Sequence, residues 1–140
     1  MPRSNDPPAN TVCRVIENPR TGERVEFVSE TADLLVMDVT WPRKGRRALA
    51  HVHASMEETW HVLEGKAQFT IGDVDHVLGP GEVVVAPPGT RHLAWNPADE
   101  PVRLRIEMRP PLRWREFTTR LFAGDDPIEL LEEFAAEVRI

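Results

Sequence analysis

The sequence contains no tyrosine and only one cysteine, Cys13, among its 140 residues. A single thiol excludes an internal disulfide and suits a reducing compartment, so a cytoplasmic location is expected. Cys13 itself reads as an idle thiol, because no helix start and no basic neighbour beyond Arg14 is present to activate it. The absence of tyrosine removes every mechanism that depends on a phenolic acid. Apolar runs never approach the ~20 residues of a membrane-spanning helix, so no membrane partner is expected. The opening MPRSNDPPANT has no apolar h-region and reads as a disordered polar leader over 1–11 rather than a signal peptide. Positive charge is scarce too: 17 Lys and Arg against 23 Asp and Glu give a net charge of −6. That balance argues against nucleic acid, whose backbone wants a basic face. The one basic cluster, RKGRR at 43–47, is short and reads as a solvated loop.

What is present is a chain of single-domain size, long enough to bury one core. Between residues 12 and 109 short β-type runs such as RVEFV, DLLVMDV, KAQFTI, EVVVA and VRLRIEM alternate with breaks rich in Gly, Pro, Asn and Asp. Closely spaced strands without helical pattern between them point to an all-β antiparallel sandwich or barrel. The 13 prolines fit turns and oppose a helical bundle. After Pro110 and Pro111 the pattern changes. Leu112, Phe117, Leu121 and Phe122 fall at helix-like spacing, and a second start follows with Asp126 as N-cap, Pro127 at the first helical position and Glu129 in the first turn. Ile128, Leu131, Phe134, Ala135 and Val138 then make an apolar stripe. Residues 110–140 are therefore expected as a tail of short helices packed on the barrel or on a partner subunit.

The chemistry concentrates in AHVHASMEETWHVLEG at 50–65. His51 and His53, two apart, share a face only if the segment is extended, whereas a helical zinc site would space its histidines by four. The stretch reads Gly45, five residues, His51-x-His53, four residues, Glu58, six residues, Gly65. Downstream, GEVVVAPPGTRHLAWN supplies Gly81, Pro87, Gly89, His92 and Asn96. Both spacings resemble the two motifs of the cupin superfamily, and they occur in the family's order. The resemblance implies a double-stranded β-helix, or jelly-roll barrel, in which the two motifs lie on neighbouring strands. It implies His51, His53, Glu58 and His92 as ligands of one divalent transition metal per chain: Fe, Mn, Ni, Co, Cu or Zn. Three neutral imidazoles and one carboxylate leave positions open for water or substrate. Glu57 competes with Glu58 for the carboxylate role, but only Glu58 keeps the interval to Gly65. His61 has the wrong strand parity and is expected on the outer face, with Trp60 and Val62 inward. His76 is expected to be exposed and inert.

Within that resemblance the missing tyrosine excludes the epimerase-type members that use a tyrosine acid and the thiol dioxygenases with a tyrosine crosslink. The remaining expectation is a small metal-dependent enzyme on an oxygen-rich phenolic or enol/carbonyl substrate, dioxygenase-like or polyketide-cyclase-like, with Glu58 able to act as base. The alternative is a non-catalytic small-ligand binder or sensor. Parity with His92 makes Ala94 and Asn96 candidates for the cavity wall. On DLLVMDVTW either Val36 and Asp38 or Met37, Val39 and Trp41 face inward. Arg103 and Arg105 alternate with apolar neighbours and read as a solvated face. A homodimer is expected, with the strand around VCRVI and the tail helices as contacts.

Overall fold

A computed structural model describes residues 11–42 and 49–140, with side chains from Arg14 onward. The RKGRR run with Gly45, and all of the expected leader but Thr11, lie outside the described residues. Among the described residues there are nine strands: β1 (Thr11–Glu17), β2 (Arg24–Glu30), β3 (Leu35–Trp41), β4 (Glu57–Glu64), β5 (Ala67–Ile71), β6 (Val74–Leu78), β7 (Val83–Ala86), β8 (His92–Trp95) and β9 (Val102–Arg109). Two helices follow, α1 (Trp114–Phe122) and α2 (Pro127–Glu133). Thr11 already belongs to β1, so the strand begins inside the span expected to be leader.

The strands form two antiparallel sheets, β1-β2-β3-β9-β4-β7 and β6-β5-β8. Period-2 alternation in the sequence supplies their inner faces: Val25 and Phe27 of β2, Leu35, Met37 and Val39 of β3, and Leu104 and Ile106 of β9 are all buried. They meet Ala67 and Phe69 of the smaller sheet in one core. This is the jelly-roll barrel that the motif pattern implied, and it settles β3 in favour of the Met37 and Val39 face. The opposite face of the large sheet is charged and internally paired. Arg105 meets Asp38 at 3.0 Å and Arg103 meets Glu64 at 2.8 Å, as a solvated face requires.

The EVVVA run supplies β7, an edge strand that leaves Val83 and Val85 exposed on its outer face. Two expectations need correction. His76, on β6, is half-buried rather than exposed. The tail does not continue one apolar stripe through residue 138. Asp126 caps α2 as read, its side chain accepting from the Ile128 and Glu129 amides. The helix, however, runs for only 7 residues. Leu130 is the side chain it buries and Ile128 is 70% exposed, because the chain leaves the helix at Phe134 and the helical period no longer applies. Leu112 likewise falls before α1, at a positive φ of 46°, and is exposed. Phe117, Leu130, Phe134 and Val138 form a second apolar cluster.

Candidate metal centre and its chamber

The two motif segments meet through their backbones. His51 and His92 form an antiparallel bridge with reciprocal N–H to C=O bonds of 2.9 Å each. Gly89, with φ of 81°, turns the chain just before His92, and its amide donates to the His53 carbonyl at 2.9 Å. Glu58 sits on β4 between β7 and β9, paired with Ala86 and Met108. Its inward parity is shared by the buried Trp60 and Val62. These elements bring His51, His53, Glu58 and His92 together, each offering one ligand atom, all within 4.8 Å of one another. Glu57 has the opposite parity and is not part of the cluster. His61 faces outward, 2.8 Å from Glu107.

All three histidines present the same nitrogen to the centre. His51 Nδ1 lies 2.9 Å from the Leu49 carbonyl, His92 Nδ1 3.0 Å from the Thr90 carbonyl, and His53 Nδ1 2.8 Å from the Glu137 carbonyl. A carbonyl oxygen only accepts, so each Nδ1 must carry the proton and Nε2 is left for the centre. Trp60 and Trp114 brace the rings edge-on, at centroid distances of 5.2 Å from His92 and 4.8 Å from His53.

The chemistry of this donor set asks for a cation. His53 and His92 Nε2 are buried without a hydrogen-bond partner among the described residues, yet lie 3.2 and 3.3 Å from Glu58 Oε1. In the neutral rings those nitrogens carry lone pairs aimed at a carboxylate, an arrangement that is repulsive unless a proton or a metal ion sits among them. The titration behaviour expresses the same demand. Burial would push Glu58 up and His53 down, but their mutual proximity reverses both, holding Glu58 at about 2 and raising His53. His51 lacks that partnership, and burial lowers it to about 4, leaving it a neutral ligand. The residues therefore fit a divalent metal, which His₃Glu ligation would hold with open positions.

A cavity of ≈ 340 Å³ opens beside the four residues, with His51 and Glu58 in its wall. Met37, Val39 and Ile106 of the large sheet line one side, while Phe117 and Leu121 of α1 and Val138 beyond α2 roof it. Neither Ala94 nor Asn96 belongs to this wall. Asn96 is instead a loop clamp, donating to the Pro42 and Glu100 carbonyls at 3.0 and 2.6 Å and accepting from the Ala98 amide.

One functional candidate has no motif to announce it. Glu23 lines the chamber, and its Oε2 accepts the Trp41 indole N–H at 3.0 Å. Burial in these apolar surroundings raises its pKa to about 7, against the opposing effect of the Trp41 bond, and the charge of Glu58 adds to the rise. The roof was equally hidden, since helical spacing in α1 and α2 says nothing of what the helices cover.

A jelly roll in which three histidines and a glutamate converge defines a class of β-barrels with a candidate metal site. The cupin domain family matches residues 37–108, half of the chain, and the chain belongs to that family. It is 30% identical to mannose-1-phosphate guanylyltransferase RfbM of Salmonella typhimurium over 91 residues, which are 65% of this chain but only 17% of that protein. Among solved structures, KdgF from Halomonas sp. superposes with a TM-score of 0.57 at 28% identity, covering 64% of this chain and 81% of that one. An RmlC-like cupin from Shewanella frigidimarina gives 0.61 at 17% identity, over 78% and 92%, which bears on the fold alone. No helix among the described residues is long and apolar enough to cross a membrane.

Proposed function

We propose that the chain is a metal-dependent enzyme for a small, largely apolar substrate carrying enol, carbonyl or phenolic oxygen. The observation that carries the reading is that two of the four clustered residues, His51 and Glu58, form part of the wall of a largely apolar chamber. A divalent ion bound there supplies Lewis-acid polarisation of a substrate oxygen. The chain's own residues do the rest. Phe117, Leu121 and Met37 exclude water and favour a flat apolar body, and Glu58 and Glu23 are the two carboxylates facing it. Glu58, held ionised at about 2, is available as a ligand but is only a weak base. Glu23, poised near neutrality, can give a proton or take one.

Dioxygenase-like and polyketide-cyclase-like chemistry both suit such a chamber, since each presents a planar, oxygen-rich substrate to the metal. A sugar phosphate, the substrate class in the name of the Salmonella relative, would find no Lys or Arg among the described lining residues. The test has two arms. Elemental analysis of untagged protein should show about one divalent transition metal per chain, lost in the His53→Ala, His92→Ala double variant; unchanged stoichiometry refutes the ligand assignment. The metal-loaded protein is then given a panel of phenolics, following oxygen uptake and product. Binding without turnover would make it a ligand-binding cupin.

We also propose a homodimer through β1. This strand pairs only with β2 among the described residues, and Val15 on it is exposed. Light scattering that gives a monomer at micromolar concentration overturns this.

A further inference from the structure

Two of the three histidines at the centre are oriented by carbonyls only two residues away in sequence, Leu49 for His51 and Thr90 for His92. The third is different. His53 Nδ1 bonds to the carbonyl of Glu137, 84 residues further along the chain and beyond both helices. The segment carrying that carbonyl is tied down from three directions. Val52 and Arg139 exchange backbone hydrogen bonds of 2.7 and 2.9 Å, which adds one rung of ladder beside His51 and His53. Val138 is buried against Phe117, Leu130 and Phe134. The Glu137 carboxylate, 2% exposed as a residue, points back to Arg113 and receives its amide at 3.1 Å, its Nε at 3.3 Å and its Nη2 at 3.2 Å. Arg113 Nη2 also holds the Glu133 carbonyl at 3.0 Å, and its guanidinium lies 4.3 Å from the Phe134 ring centroid.

A buried carboxylate with this many donors is fixed in place, and fixing it also fixes the carbonyl of the same residue. We propose that Arg113 and Glu137 are positioning residues for the metal centre: their ion pair sets the segment Glu137–Ile140 so that its first carbonyl locks the tautomer and ring orientation of His53. Val138 and Ile140 of the same segment line the chamber, so one stretch of chain serves both the ligand cavity and the metal ligand. The inference rests on the proposed metal site.

The experiment uses Co²⁺ as probe, on the full chain. Its affinity is measured by competition with a chelator, its ligand field by visible absorption, and the stability of the metal-free fold by thermal unfolding. Arg113→Ala should weaken Co²⁺ binding by about 10- to 100-fold and alter the absorption bands, as expected when the outer partner of a histidine ligand, here the Glu137 carbonyl, is displaced. Arg113→Lys keeps the charge but not the fork and should fall between. Glu137→Gln removes the charge without leaving a buried anion unpaired, as Arg113→Ala does, and should also weaken binding if Arg113→Ala fails to fold. Val62→Ala is the control: Val62 is a buried barrel residue outside the chamber, so the variant should lose stability yet bind Co²⁺ within about twofold of the parent. Parental affinity and spectrum in folded Arg113→Ala or Glu137→Gln would overturn the inference, as would an equal loss in Val62→Ala. If the parent chain itself binds no Co²⁺, the metal reading falls, and it falls separately from these comparisons.

Discussion

Trp41 donates its indole N–H to Glu23 at 3.0 Å, and the two meet because the β2–β3 register pairs their neighbours, Arg24 with Thr40. The bond keeps a carboxyl group in an apolar wall where burial raises its pKa to about 7 from the ordinary 4.5.

A raised carboxyl makes stability depend on pH in a defined direction. The folded state holds the Glu23 proton more tightly than the unfolded chain, so its contribution is complete below about 4.5 and is lost as pH rises through about 7. The difference amounts to as much as about 3 kcal/mol. Glu23→Gln keeps the acceptor for Trp41 without the charge. In urea unfolding of metal-free protein it should match the parent near pH 4.5 and gain on it steadily toward pH 8. A constant difference between the two across that range would contradict the assignment.

The packing of α2 gives a second expectation. Leu130→Ala should cost about 2–5 kcal/mol, because Leu130 is buried against Phe117 and Phe134. Ile128→Ala should stay within about 0.5 kcal/mol, because that side chain is largely in solvent. Paired denaturant melts decide it, and the reverse order would restore a continuous apolar stripe from 128 to 138.

Gly65 and Gly89 share a φ of 81°, but their surroundings differ. A methyl group at Gly89 meets nothing within 4 Å, so Gly89→Ala should cost only the left-handed backbone penalty of about 1–2 kcal/mol. At Gly65 the added carbon would lie 2.6 Å from the Pro101 carbonyl oxygen, which has to move. Gly65→Ala should therefore be the more destabilising by thermal unfolding.

Asn96→Ala should lower stability by about 1–3 kcal/mol, since it strands the Pro42 and Glu100 carbonyls that the side chain now satisfies. Metal stoichiometry should be unchanged by elemental analysis. Loss of the metal in this variant would contradict a purely loop-clamping role for Asn96.

Spacing made much of this molecule legible. Strand runs and turn residues pointed to an antiparallel sandwich or barrel, and the cupin resemblance carried by the two motifs implied the jelly roll and the set His51, His53, Glu58 and His92, which meet within 4.8 Å. The interval to Gly65 sorted Glu58 from Glu57, and parity turned His61 outward, because β4 is a regular strand with one buried face. Glu23 escaped for a physical reason. It sits just before β2, outside any period, and only the long-range pairing of β2 with β3 carries it to the chamber. The roof escaped for another: a helix of two turns leaves too few positions to fix which face is buried, and the chain beyond Phe134 follows no period.

The bridge between His51 and His92 acts as a caliper. Two reciprocal backbone bonds hold these residues at the narrow-pair spacing of an antiparallel ladder, about 5.5 Å between Cα atoms. Adjustment to the radius of a bound ion would then fall to Glu58 and to His53, whose ring the Glu137 carbonyl holds.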